Sequence, residues 1–245
     1  MADGGHGTRS GIVLAGGRSS RLGSPKALLE LDGAPLVRHV LNALAPSCDE
    51  VLLVAAPRDA QPEELDAGLA NEALRLASAG VAARVVHDAR AHLGPVSGLA
   101  TGLAAARGEI AWVTACDVPL LAPALVEALL ARAERERDAD VVLPRWRGYL
   151  EPLLAVYRRA AMAAHFARQL DDGVLKPTAR LDERRVSIVE EEEILLLDPD
   201  GRSFVNVNAP ADLSAARARV ASEPLAITSR ASRPARSPRG SSADG

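Results

Sequence analysis

The chain has 245 residues, a formal net charge of −3, and only two each of tryptophan, tyrosine and phenylalanine. That length suits one α/β domain; the near-balanced charge gives no global attraction for nucleic acid, and so few aromatics offer no platform for stacking single-strand bases. Two cysteines, Cys48 and Cys116, are too few for a disulfide framework or a four-ligand zinc site, and no apolar run approaches the ~18 residues of a membrane span, so a reduced cytoplasmic protein is expected.

Residues 1–9 are polar, lack the apolar stretch of a secretory signal and read as a flexible N-terminus. Residues 10–221 then alternate short apolar or β-branched runs with longer Ala/Leu-rich amphipathic segments, the pattern of a mostly parallel sheet covered by helices on both faces. In chain order this predicts strand Gly11–Ala15, helix Pro35–Ala45, strand Glu50–Ala55, helix Glu63–Ala79, strand Ala83–His87 and helix Val96–Ala106. There follow strand Ile110–Cys116, helix Pro123–Arg137, strands Asp140–Leu143 and Leu153–Tyr157, and helix Arg158–Leu170. Strands Val186–Val189 and Ser203–Val207 and helix Pro210–Ala221 close the domain, several helices being opened by a proline that suits the first turn. The glutamate run Glu190–Glu193 reads as a solvated face or strand end. Residues 222–245, rich in Ser, Pro, Arg and Gly, read as a disordered tail, because they offer too little apolar surface to offset chain entropy.

Ligands of open parallel sheets bind beyond the carboxyl ends of the strands, and polar or glycine-rich segments fall at such ends. After the first strand comes LAGGRSSRLGSPKA, Leu14 to Ala27. Gly16 and Gly17 allow a tight turn that presents backbone N–H groups to a phosphate without an intervening Cβ. Arg18, Arg21 and Lys26 follow, and no acidic residue lies between Gly4 and Leu29. Lys26 is one of only two lysines, with Lys176, against 27 arginines, which suits a site that needs a compact point charge. The spacing matches neither the P-loop nor the dinucleotide fingerprint.

The strand ending TACDVPLL carries Asp117 just past its ladder, where Pro119 prevents continuation. A carboxylate there is a hard oxygen ligand for Mg²⁺, or else a turn residue; Cys116 reads as a small buried apolar residue. In HDARAHLGPVSGL, Asp88 stands at another strand end, facing ribose, base or the surroundings of a metal, whereas His87 and His92 lack partners at a metal-ligand spacing and read as structural. In FVNVNAPADL, alternation puts Asn206 and Asn208 on one face of an extended segment, facing a ligand, with Asn208 alternatively capping the next helix.

Taken in order, LAGGRSSRLGSPKA, GPVSGL, TACDVPLL, EPLLAVY and FVNVNAPADL resemble the molybdenum cofactor guanylyltransferase family over roughly Gly11 to Ala218. The resemblance implies a three-layer α/β/α, Rossmann-like nucleotidyltransferase fold, and transfer of GMP from GTP to the phosphate of molybdopterin with release of pyrophosphate. It implies that Leu14, Ala15, Gly16, Gly17 and Lys26 contact GTP, that Asp88 contacts the nucleoside, and that Asp117 binds Mg²⁺. Arg21, Lys26 and Asp117 would then carry the catalytic charge, with Asn206 and Asn208 adding contacts. Neither nucleic acid nor membrane is implied as a partner, but transient contact with molybdoenzymes or cofactor-delivery proteins is. The chain departs from the family pattern at Pro25, where Asp often stands, and at Ala55, where a nucleotide-contacting Asn can stand. A cytidylyltransferase, a sugar- or polyol-phosphate nucleotidyltransferase, and a nucleotide-binding module without turnover are the alternatives.

Overall fold

The computed structural model describes residues 8–16, 25–90 and 93–222. Its frame is built from strands β1 (Arg9–Leu14), β4 (Glu50–Ala55), β5 (Ala82–His87), β6 (Ile110–Ala115), β7 (Val141–Trp146), β8 (Tyr149–Leu150), β9 (Leu154–Arg158) and β10 (Val186–Val189). They form an eight-stranded sheet in the order β10-β7-β9-β6-β1-β4-β5, with β8 paired to β7. On the main path β9 alone runs antiparallel, between β6 and β7. The central strands β1, β4 and β6 are covered on both faces, which is why they read as unbroken apolar runs: Ile12, Val13, Leu52, Leu53, Trp112 and Val113 are all fully buried.

Helices α1 (Leu36–Leu44), α2 (Glu63–Ser78), α4 (Pro123–Arg135) and α6 (Glu191–Leu195) contribute to the core on one face. On the other face lie α3 (Gly94–Ala105) and α5 (Arg159–Asp171). The spacing of α1 shows the cause: Leu36, Val37, Val40, Leu41 and Leu44 form one buried stripe. Each such side chain contributes about 1.5–3 kcal/mol by leaving water. At the end of β1 remote from Leu14, the Arg9 guanidinium forks onto Glu134 and Glu127, and these carboxylates hold its pKa above the usual arginine value, tying β1 to α4.

A third, small core joins Leu31, Leu36, Leu120, Val207, Ala216 and Val220. It packs the hairpin of β2 (Glu30–Leu31) and β3 (Ala34–Pro35) against the C-terminal helix α7 (Pro210–Ser222) and the loop after β6. Three distant parts of the chain are thereby fastened beside one another.

The predicted three-layer α/β arrangement is the observed one, with corrections at its margins. Ser203–Val207 is not a strand. Gly201 adopts a left-handed conformation (φ 59°), and a 3₁₀ turn runs over Arg202–Phe204. The Asp198 carboxylate accepts hydrogen bonds from the backbone N–H groups of Arg202 and Ser203. With these groups satisfied by a side chain, no sheet ladder forms. The Glu190–Glu193 run starts α6 through a capping box between Glu190 and Glu193. These two carboxylates also receive Arg145 and Arg132, so the run is more than a solvated face. Both short hairpins turn on a residue pair with positive φ, Asp32-Gly33 and Arg147-Gly148. Among the described residues no helix is long and apolar enough to cross a membrane. Residues 1–7 and the tail from 223 lie outside the described residues.

Candidate active site

Because β1, β4, β5 and β6 are parallel, their carboxyl ends form one rim, and the backbone laces that rim together. Ala15 N–H donates to Val54 O, Cys116 N–H to Leu14 O and Asp88 N–H to Ala55 O, at 2.8, 3.0 and 2.9 Å. Val207 N–H donates to Asp117 O at 2.8 Å, which brings the C-terminal segment onto the same rim. Above it opens a cleft of about 530 Å³, bounded by Asp88 at the β5 end, Leu14 and Gly16 in the middle, and Lys26, Asp117 and Leu153 at the other end. A cleft of this volume suits a nucleotide-sized ligand.

Lys26 and Asp117 are 91 residues apart in sequence, yet Lys26 Nζ donates to Asp117 Oδ2 at 2.8 Å. It donates also to Asn208 Oδ1 at 2.5 Å, 182 residues away. The ammonium has three donors and these contacts use two. Both Lys26 and Asp117 are only partly exposed, at 20% and 16%, so the pair lies at the wall of the cleft and not in free solvent. Asp117 Oδ1 is buried with no hydrogen-bond partner among the described residues. An ionised oxygen in that state is costly unless a ligand supplies a donor or a cation. Next to it, burial and then the Asp117 charge push the Cys116 thiol up to about 12, so it stays protonated and unreactive.

Gly16 is required by space. A Cβ there would lie 2.5 Å from the Ala56 backbone nitrogen, and neither wall is a flexible side chain. Gly16→Ala is therefore expected to push β1 and β4 apart at the rim, lowering stability by about 1–3 kcal/mol. Urea denaturation tests it; unchanged stability would show that the loop yields freely.

Asp88 accepts from Thr101 Oγ1 at 3.1 Å and from Arg90 N–H at 3.2 Å, both on Oδ1, leaving Oδ2 without a protein donor among the described residues. Arg90 also lines the cleft and reaches Asp171 at 3.2 Å. Neither Thr101 nor Arg90 was marked by the sequence: Thr101 joins the site only by folding back onto Asp88, and Arg90 holds Asp88 through a backbone N–H that any residue but proline could supply. Leu153 likewise lines the cleft with no signal beyond its strand.

Of the predicted residues, Leu14, Gly16, Lys26, Asp88 and Asp117 line one cleft, whereas Ala15 is buried and is not part of its lining. Asn208 contacts Lys26 and does not cap α7; Asp212 does that, accepting from the backbone N–H groups of Asn208 and Ala209. Asn206 shares the exposed side of the segment but makes no hydrogen bond among the described residues. His87 pairs with Asp66 at 2.6 Å, a contact that also gathers Arg58 and Gln61 and stands outside the cleft lining. Gly17, Arg18, Arg21 and His92 lie outside the described residues. No group of three or more His, Cys, Asp or Glu able to hold a metal occurs among the described residues.

Comparison with known proteins agrees with this geometry. Residues 11–186 match the MobA-like NTP transferase domain. A probable molybdenum cofactor guanylyltransferase of Natronomonas pharaonis is 36% identical over 87% of this chain and 99% of its own length. One from Pelotomaculum thermopropionicum is 33% identical over 85% of this chain and 91% of its own. In three dimensions, molybdopterin-guanine dinucleotide biosynthesis protein A of Archaeoglobus fulgidus superposes with a TM-score of 0.68 at 26% identity, covering 87% of this chain and 99% of that one. A laced strand rim, a lysine meeting a carboxylate at its centre and these relationships lead to one conclusion: the chain belongs to the MobA-like NTP transferase family and is a nucleotidyltransferase.

Proposed function

We propose that this enzyme transfers GMP from GTP to the phosphate of molybdopterin, in the cytoplasm, giving a guanine dinucleotide cofactor and pyrophosphate. The observation that carries the reading is the convergence of Lys26, Asp117 and Asn208 at one end of a cleft whose other end holds Asp88. The relatives' names supply the acceptor and the guanine.

The order of groups along the rim supports one arrangement of the donor. The base and ribose lie over β4 and β5, beside Ala55 and Asp88, and the triphosphate lies over β1 and β6, beside Gly16, Lys26 and Asp117. A phosphate oxygen of the acceptor attacks the α-phosphorus, its new P–O bond forming as the bond to the β-phosphate oxygen breaks. The attacking oxygen is already anionic near neutral pH, so no general base is needed. Lys26 uses its remaining N–H on a phosphate oxygen and offsets charge on the departing pyrophosphate. Gly16 lets the backbone approach the phosphates, and Arg21 and Gly17 complete the loop in this reading.

The orphaned Asp117 Oδ1, with the Asn208 carbonyl oxygen nearby, fits Mg²⁺, which binds through one or two protein oxygens and fills its remaining positions with water and substrate phosphates. Bound there, the ion would supply positive charge to the phosphoryl oxygens. Asp117's part is to hold it, and Asn208's is to orient Lys26.

A thermal-shift panel of GTP, CTP, ATP and UTP, each with Mg²⁺, tests the donor. GTP is expected to give the largest rise, since a ligand at a hundred times its Kd stabilises by ~2.7 kcal/mol. A larger rise with CTP would instead fit the apolar Ala55 and replace guanylyl by cytidylyl transfer. No rise with any nucleotide would remove the reading altogether.

A further inference from the structure

The donor occupies the rim from β5 to β6 in the reading above, which leaves the β9 and β7 ends for the acceptor. The sequence EPLLAVY enters β9 there, and its first residue, Glu151, has no part in the mechanism so far. Its backbone is held on both sides. Glu151 N–H donates to Pro144 O at 3.0 Å, and its carbonyl accepts from Leu154 N–H at 3.1 Å. The next residue is fixed too, as the buried Tyr157 hydroxyl donates to Pro152 O at 2.6 Å. Two residues on, Leu153 lines the cleft.

This rigid turn carries a half-buried carboxylate that makes no hydrogen bond or ion pair among the described residues. The nearby cations are committed elsewhere: Arg145 to Glu190, and Arg147 over the Trp146 ring. Burial raises the Glu151 carboxyl above its ordinary range, the mark of a group that lacks donors. Such a residue contributes nothing to folding through its charge; a ligand with paired N–H donors would offset its desolvation.

A pterin presents such a pair. Its 2-amino-4-oxo edge offers N3–H and the 2-amino group side by side, and a carboxylate accepts two parallel N–H groups as it does from a guanidinium. That edge lies at the far end of the acceptor from the phosphate that must reach Lys26 and Asp117. We propose that the Glu151 carboxylate reads the 2-amino-4-oxo edge of the acceptor's pterin and so selects the acceptor. The proposal rests on the acceptor assigned above.

The test uses the full chain and two fluorescent heterocycles, 6-hydroxymethylpterin and 6-hydroxymethyllumazine, titrated directly. Lumazine has a carbonyl where pterin has the 2-amino group, so the wild type is expected to bind pterin at least tenfold more tightly, with order of magnitude set by one unpaired polar group. In Glu151→Gln the side-chain amide can donate to that carbonyl while its oxygen accepts N3–H, so the preference should reverse. Glu151→Asp should keep the preference for pterin with weaker binding. In turnover, Glu151→Gln should raise KM for molybdopterin and leave the GTP-induced melting shift unchanged. A Gln variant that retained the wild-type preference, or that weakened both heterocycles equally, would overturn the proposal. Loss of turnover with molybdopterin in the wild type would instead overturn the acceptor reading, which the two-heterocycle titration does not depend on.

Discussion

Lys26→Ala should lower the rate of pyrophosphate release by about 10²–10³-fold, the usual cost of losing one charged contact to a reacting group. The fold should survive. Lys26 opens onto a cleft, so water can take its place beside the Asp117 carboxylate. Lys26→Arg is the sharper test. Nζ sits 2.8 Å from Asp117 and 2.5 Å from Asn208, a space shaped for a compact ammonium. A planar guanidinium would have to displace the segment that carries Asn208, and that segment is fixed by Val207 N–H on Asp117 O. The Arg variant should therefore also lose at least an order of magnitude, on the scale of one misplaced contact. Near-normal rates in either variant, measured beside unchanged melting temperatures, would make Lys26 a surface residue and dissolve the phosphate-loop assignment.

Asp117→Asn should reduce turnover comparably but respond to different conditions. The amide keeps the size of the side chain and one oxygen. If that oxygen stays on Lys26, the amide nitrogen takes the place of the buried Oδ1, and the site holds a cation more weakly. Raising Mg²⁺ should recover part of the lost rate, because weaker metal binding is the defect. Raising pH should not, because the nucleophile is a phosphate that is already ionised. A rate that climbed with pH and ignored Mg²⁺ would remove the metal role and point to an acceptor with a hydroxyl nucleophile.

Much of the fold is legible in the chain because burial leaves a periodic trace. Strands β1, β4 and β6 are recognisable since both their faces are apolar, and α1 because its buried stripe recurs each turn. The segment Ser203–Val207 shows where such reading stops. Its alternation is real, with Val207 buried and Asn206 and Asn208 outside, but one hydrogen bond to the Asp117 carbonyl takes the place of a ladder. Periodicity reports which side chains are buried; it does not report what the backbone is bonded to. The Asp32-Gly33 and Arg147-Gly148 turns were likewise set by positive φ at residue pairs, each leading into a strand only two residues long, too short to show alternation.

By itself the sequence determined the layered α/β architecture and the residue types gathered at the strand ends, because these follow from the pattern of apolar positions; the need for Gly16 lies in its approach to the Ala56 backbone. Tertiary structure alone decided that Lys26 meets Asp117 and Asn208, that Thr101 holds Asp88 while the Arg90 side chain reaches Asp171, and that Glu151 has no partner among the described residues. Those facts depend on which strand ends are neighbours and on the small core of Leu31, Leu120, Val207 and Ala216 that fastens three distant segments together. A side chain's partner across such distances in sequence is fixed by packing, and packing leaves no signature at either residue until the chain has folded.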